Sequence, residues 1–257
     1  MKCMVLAAGY ATRMYPLTEN QAKPLLPING KPILNYILRH VHPIQEIDDI
    51  LVISNHKFAS QFRSWADDYS KTDLPPHQAI HVLDDGSTSN DTRLGAIRDI
   101  QIGIEDQGWE KESLLIMAGD NIHYFDTGAW FRFFKEKNEH SITVRWLENQ
   151  EELVRTGIVT MDEQNRVVDF QEKPSNPKTN WSCPAFYLYK AGIIDHIKQY
   201  IQEGSNPDAP GHFITHLHQV TTVLAWPFKE EVIDIGNLET YNEMKDQPLP
   251  TPTWLNN

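Results

Sequence analysis

Short apolar runs separated by polar, turn-rich stretches recur along the whole chain. Their spacing alternates between the two-residue beat of strands and the three-to-four-residue beat of helices. The first run, from Met4 in MVLAA, reads as a buried strand. A long loop without an obvious helix follows, carrying Gly9, Thr12, Arg13 and Lys23 and punctuated by Pro16, Pro24, Pro27 and Pro32. Residues 33–41 place Ile33, Leu34, Ile37, Leu38 and Val41 on one stripe and predict a helix that Pro32 can begin. DILVIS at 49–54 reads as the second strand. A helix is expected over 58–69, with Phe58, Phe62, Trp65 and Tyr69 roughly on one side. Aromatics at that spacing read as core packing rather than a base-stacking platform. Residues 80–83 suggest a third strand.

The polar segment DDGSTSND at 84–91 precedes a helical pattern over 93–104, through Leu94, Ile97, Ile100 and Ile104. Gly95 and Ala96 sit at its start, as small residues would beside a ligand; a plain turn and helix cap fit equally. SLLIMA at 113–118 is the clearest central strand and runs straight into Gly119, Asp120 and Asn121. A Phe-rich helix over 130–137 leads to strands expected over 141–147 and 153–161, the latter containing Gly157. A hairpin turn over 162–165 and a returning strand over 166–170 end in Gln171, Glu172, Lys173 and Pro174. This cluster predicts an accessory sheet continuous with the main one. Residues 185–189 form a short aromatic strand. Helices are expected over 193–200 and 212–220, with extended segments over 222–226 and 231–233. Asp234 and Gly236 precede a terminal helix over 238–245. A proline-bearing tail over 246–257 reads as irregular, with Trp254 and Leu255 able to pack back. Strands alternating with helices make the fold class α/β, without internal repeat or coiled-coil heptads.

Composition narrows the function classes. The 257 residues are 40% hydrophobic and 23% charged, with a net charge of −12. That charge argues against a nucleic-acid or anionic-membrane partner but leaves room for a small local basic site. Eleven histidines predict that the negative charge shrinks on mild acidification. Cys3 and Cys183 are too few and too far apart for a disulfide framework. No apolar run reaches membrane-spanning length, and the start lacks a secretory pattern, so a cytoplasmic location is the expectation.

The candidate chemistry starts in the first loop. A long ordered loop after a strand costs chain entropy and usually serves a site. Gly9 permits close backbone approach, and Ala7, Ala8 and Ala11 keep bulk away. Successive N–H groups there can cradle phosphate oxygens, with Arg13 and Lys23 as cationic donors. A proline-stiffened surface loop with two solvated cations is the competing reading. Neither the P-loop nor the three-glycine dinucleotide fingerprint is present. Asp120 and Asp234 both follow apolar strands and can share one Mg2+ over a nucleotide, although a capping role suits Asp120 as well. Glu172 and Lys173 can accept from substrate hydroxyls and hold a phosphate. His212, His216 and His218 invite a zinc reading, but no neighbouring acid completes a zinc motif.

The blocks LAAGYATRMYPLTENQAKPLLPINGKP, LGAIRDI, MAGDN, RTGIV, DFQEKP and VIDIGNLETY together resemble the sugar-1-phosphate nucleotidyltransferases, or nucleoside-diphosphate-sugar pyrophosphorylases. Within that family the likeness is to glucose-1-phosphate thymidylyl- and uridylyltransferases. The resemblance implies a Rossmann-like, mixed, mostly parallel central sheet flanked by helices, with a smaller sugar-binding sheet lobe. It implies a single nucleotidyltransferase domain. Residues 1–125 are then mainly nucleotide-binding, 126–245 mainly sugar-phosphate-binding, and 246–257 a tail.

By position, Ala7, Ala8, Gly9, Ala11, Thr12 and Arg13 resemble the triphosphate-gripping loop, with Arg13 on the β- and γ-phosphates. Lys23 resembles the lysine of the α-phosphate region. Asp120 and Asp234 resemble the metal-binding aspartates. Asn90 and Gly95 fall near the nucleobase. Asn121, Gly157 and Glu172 fall near the sugar, and Lys173 near the sugar phosphate. The implied reaction is NTP, with a pyrimidine base, plus sugar 1-phosphate giving NDP-sugar and pyrophosphate, with Mg2+ and without a protein nucleophile. Arg13, Lys23 and Asp120 are then the catalytic set. A homo-oligomer is left open.

Three departures from the family pattern stand out. Ala11 replaces a glycine and resists positive φ. Ala22 replaces a proline before Lys23. Cys183 and Pro184 stand where many relatives carry Thr-Gly. These keep two alternatives in view: a cytidylyltransferase acting on a non-sugar phosphomonoester, and an inactive nucleotide-sugar-binding regulatory protein.

Overall fold

The computed structural model describes residues 1–256; the tail's last residue, Asn257, lies outside the described residues. The first elements in chain order are β1 (Lys2–Leu6), β2 (Pro27–Ile28), β3 (Lys31–Pro32), α1 (Ile33–Leu38), β4 (Asp49–Ser54), α2 (Ala59–Thr72) and β5 (Ala79–Asp84). There follow α3 (Ala96–Gln107), β6 (Leu114–Ala118), β7 (Asn121–His123), α4 (Thr127–Lys137), β8 (His140–Trp146), α5 (Gln150–Leu153), β9 (Gly157–Met161) and β10 (Val167–Glu172). The chain continues through β11 (Trp181–Cys183), β12 (Phe186–Tyr189), α6 (Ile193–Gln202), α7 (Pro210–Val220), β13 (Val223–Phe228), β14 (Val232–Asp234) and α8 (Leu238–Met244). The architecture is mixed α/β, a central, mostly parallel sheet flanked by helices, as the strand–helix alternation predicts. No helix among the described residues is long and apolar enough to cross a membrane.

The chain divides into two units. The first comprises Met1–Arg93, Met117–Gly128 and the residues from 230 onward. Here β1, β4 and β5 run parallel, with Val5 opposite Val52 and Val52 opposite Val82. Met4, Val5, Leu51, Val52 and Ile53 are fully buried, as expected of parallel strands covered on both faces. Each such side chain contributes about 1.5–3 kcal/mol by leaving water. Antiparallel β7 and β14 pair Asn121 with Asp234. The tail packs back as expected: Trp254 donates its indole N–H to the Tyr124 carbonyl at 3.0 Å. It ends in a 3₁₀ turn over Thr253–Asn256.

The second unit comprises Leu94–Ile116 and Ala129–Lys229. β8 is its spine, with β13 parallel along one edge and β12 and β11 antiparallel along the other. β9 pairs with β11, and β10 pairs antiparallel with β9. The Phe170 ring of β10 lies on Gly157 of β9, where a β-carbon would stand 2.4 Å from Cζ.

Several expected boundaries move. The strand expected over 153–161 begins at Gly157. Before it, Asn149 caps α5 by accepting the Glu151 N–H, and Glu151 and Glu152 favour a helix start. The helix expected from 93 begins at Ala96, because Gly95 has φ +90°. The helix expected over 33–41 stops at Leu38. The first loop, read as lacking helix, holds 3₁₀ turns at Thr12–Met14 and Lys23–Leu25.

The histidine expectation holds only for part of the eleven. Burial holds His40, His42, His123 and His140 below the ordinary imidazole range. His123, at about 3, and His140, at about 4, stay neutral on mild acidification. Cys3 and Cys183 are both free and buried.

Candidate functional site in two parts

The loop after β1 is tied down at each bend. Buried Asn55, beyond the end of β4, donates to the Ala8 carbonyl at 3.0 Å and accepts the Phe58 N–H. The Tyr10 hydroxyl donates to the Ser87 carbonyl at 2.8 Å. Ala11 adopts the left-handed conformation that a glycine would, φ 48°, ψ 40°. Its carbonyl accepts from the Thr18 hydroxyl at 2.7 Å and the Met14 N–H at 2.9 Å. The alanine therefore keeps the glycine-like path and stores strain of about 1 kcal/mol. Ala11→Gly is expected to raise the melting temperature by about 2–4 °C, measured by calorimetry; an unchanged or lower value would refute the strain. Thr12 and Arg13 follow, both exposed.

Lys23 opens the second 3₁₀ turn, and Ala22 before it is anchored in a way the sequence did not reveal. The Ala22 N–H donates to Gln61 Oε1 at 3.1 Å, and Gln61 Nε2 donates to the Asn20 carbonyl at 2.9 Å. A proline at 22 has no N–H to give. Ala22 is thus fastened to α2 by a side-chain amide.

Lys23 forms a salt bridge with Asp120. Its ammonium is pulled down by burial, but the Asp120 carboxylate and then Asp234 outweigh this and hold it above the ordinary lysine value, against Arg13. Burial opposes ionisation of Asp120, yet Lys23 and the Asn121 amide, 2.7 Å from Oδ1, hold the carboxyl below the usual range. Asp120 is brought to the loop by Gly119, whose N–H donates to the Leu6 carbonyl at 3.0 Å. A β-carbon on Gly119 would come within 3.1 Å of both Leu6 O and Pro24 Cγ. Asp234 faces Asn121 across the β7–β14 pair, and the Ile235 N–H donates to the Asp120 carbonyl at 3.0 Å. Within this unit the structure therefore gathers Arg13, Lys23, Asp120, Asn121 and Asp234. Asn121 spends its amide on Asp120. Asn90 sits in an exposed 3₁₀ turn, its carbonyl accepting from Arg93 at 3.2 Å. Asp234, at the end of β14, and Asp120, just before β7, are carboxylates of the kind a hard divalent cation takes.

The second unit holds the other group. Glu172 ends β10, Lys173 follows at φ +46°, and the Lys173 N–H donates to the Thr156 carbonyl at 3.2 Å. Lys173 Nζ lies 3.6 Å from Glu172 Oε1. Gly157 stands across the β9–β10 pair, opposite Glu172. The Thr156 hydroxyl donates to the Cys183 carbonyl at 3.2 Å. Burial first, and the Glu172 charge second, push the Cys183 thiol well up, so it is protonated. Gly95 is filled against differently than expected: a β-carbon there would stand 2.7 Å from the Pro207 carbonyl oxygen. Its lack of side chain is explained by protein backbone. The Ala96 and Ile97 N–H groups that open α3 are used by the Asp208 and Pro207 carbonyls.

Comparison with known proteins places the chain among relatives. The chain is 29% identical over 199 residues to the bifunctional protein GlmU of Methanocaldococcus jannaschii, covering 77% of this chain and 42% of that protein. It is 30% identical over 201 residues to a glucose-1-phosphate thymidylyltransferase of Neisseria meningitidis, covering 77% and 65%. The chain thus spans less than two thirds of the length of these relatives. Among solved structures, a UDP-glucose pyrophosphorylase complexed with UDP-glucose superposes with a TM-score of 0.77 at 16% identity, over 95% of this chain and 97% of that one; this likeness speaks to fold. The model of the family described as nucleotidyl transferase matches residues 2–249, nearly the whole sequence, and the chain belongs to that family.

Proposed function

We propose that this chain transfers a nucleotidyl group from a pyrimidine NTP to a sugar 1-phosphate, releasing pyrophosphate and forming an NDP-sugar. The observation that carries the reading is Lys23 set against Asp120, with Asp234 on the neighbouring strand, beneath the loop that bears Arg13. Asp120 and Asp234 would hold Mg2+, which when bound offsets phosphate charge. Arg13 stands exposed and free to grip the outgoing phosphates. Lys23 supplies a compact positive charge for the α-phosphate region. The Ala8–Thr12 backbone, fixed by Asn55, Tyr10 and Thr18, would present its amides to the phosphate chain, the Ala7 N–H being taken by the Ile53 carbonyl. Glu172 would accept from acceptor hydroxyls and Lys173 would hold the acceptor phosphate. The attacking phosphate is already anionic, so alignment and charge stabilisation supply the rate. A single deep-lying protein nucleophile has no part in this scheme.

The test is pyrophosphate release with dTTP, UTP, CTP, ATP and GTP, each against glucose 1-phosphate, galactose 1-phosphate, glucosamine 1-phosphate and phosphocholine, with Mg2+. The expected result is one pyrimidine nucleotide and one sugar 1-phosphate standing well above the rest, with the rate lost in EDTA. Release with phosphocholine alone would move the acceptor to a non-sugar phosphomonoester. No release with any pair would overturn the proposal.

A further inference from the structure

Glu172 is held rather than free. Its side chain is 12% exposed. One carboxylate oxygen faces Lys173, and the other lies over the α-carbon of Gly211 in the first turn of α7. A β-carbon on Gly211 would stand 1.8 Å from Glu172 Oε2, 2.8 Å from Cδ and 2.9 Å from Phe170 Cε1. The severe overlap is with the tip of a side chain that turns on several bonds, not with backbone. An added methyl group would therefore displace the carboxylate before it disrupted the fold. The start of a helix is also the end that favours a negative charge.

The helix is itself fixed on both sides of this contact. The Thr215 hydroxyl donates to the Phe170 carbonyl at 3.2 Å. The chain before α7 is clasped by the opening N–H groups of α3, which donate to the Asp208 and Pro207 carbonyls at 3.2 and 3.0 Å. Gly157 offers the contrast: its space is taken by the Phe170 ring alone.

We propose that Gly211 is a positioning residue for the acceptor: its bare α-carbon is the seat that fixes the Glu172 carboxylate where it meets the acceptor's hydroxyl groups. This rests on the reading of Glu172 as an acceptor contact.

The test uses the most active nucleotide and acceptor from the pyrophosphate assay. Gly211→Ala is expected to raise the KM for the acceptor about ten-fold, the loss of one hydrogen bond to a charged group, and to leave the KM for the nucleotide within about two-fold. Glu172→Asp draws the carboxylate back by one methylene and weakens acceptor binding alone, yet the double variant G211A/E172D should bind acceptor better than Gly211→Ala alone. Gly157→Ala should lower the melting temperature, since its overlap is with a buried ring. A second measurement needs no turnover: Gly211→Ala should lower the melting temperature more in the native background than in a Glu172→Ala background.

An unchanged acceptor KM in Gly211→Ala, no recovery in the double variant, or equal melting shifts in the two backgrounds would each overturn the seat. Glu172→Gln separates this from the parent reading. If that variant keeps the native acceptor KM, the acceptor role of Glu172 fails, while the melting comparison still decides whether the seat exists.

Discussion

Lys23→Met is expected to lower turnover by about two to three orders of magnitude, the range for removing one preorganised charged donor. On the proposed reading the nucleotide would lose the cation of its α-phosphate region, and Asp120 loses its salt-bridge partner. Asp120 is kept ionised in its partly buried position chiefly because Lys23 overcomes the effect of burial. Without Lys23 that carboxyl should bind a proton at a higher pH, so the acid-side loss of the residual activity should set in at a higher pH. Lys23→Arg should recover little, since a planar fork does not replace a compact ammonium paired with the Asp120 carboxylate. Steady-state kinetics of both variants, with circular dichroism to check the fold, make the comparison. Turnover within about ten-fold of native for Lys23→Met would remove Lys23 from the chemistry.

Mild acid should destabilise the protein before its carboxylates titrate. His123 is pushed down to about 3 and His140 to about 4, in both cases first by burial and then by neighbouring positive groups. His140 Nδ1 accepts the Lys190 N–H at 3.2 Å, a bond that protonation at that nitrogen would break. His40 is fully buried, its ring 3.9 Å from that of His123, and is lowered as well. The sign follows from the unfolded chain, whose histidines take protons below about pH 6.5 while the folded ones refuse them. The stability from neutral burial is complete above that pH and drains away as the pH falls toward the folded values. At about pH 5 each of His123 and His140 should have withdrawn about 2 kcal/mol, with His40 adding in the same direction. Together they amount to a large share of ordinary domain stability. Urea unfolding at about pH 7.5, 6 and 5 measures it; a constant midpoint across that range would refute the account.

Much of this organisation could be read before any coordinates. DILVIS is a strand over the residues its apolar run marks, because a strand buried on both faces needs nothing beyond a continuous run. The cations of the first loop and the carboxylates after the apolar strands were also visible, since each sits at the end of a run that could be located. What stayed hidden depends on partners far along the chain. Gln61 is 39 residues from Ala22 and Asn55 is 47 from Ala8. A polar residue next to a strand or on a helix carries no sign of the distant backbone it will meet. Gly95 was legible as a place where bulk is forbidden, but not as one where Pro207 is the reason. The same holds for the histidines: their number is in the sequence, while the neutrality of His123 and His140 comes from burial.

The amide of Gln61 joins two positions that a drifting sequence cannot alter independently. With alanine at 22, residue 61 must keep a group that both gives and takes a hydrogen bond across the gap. With proline at 22, the partner's accepting oxygen has nothing to receive and the restraint passes to the ring of the imino acid. Among descendants of this chain, a return to proline should therefore license change at 61, and loss of glutamine at 61 should be tolerated only where proline has come back.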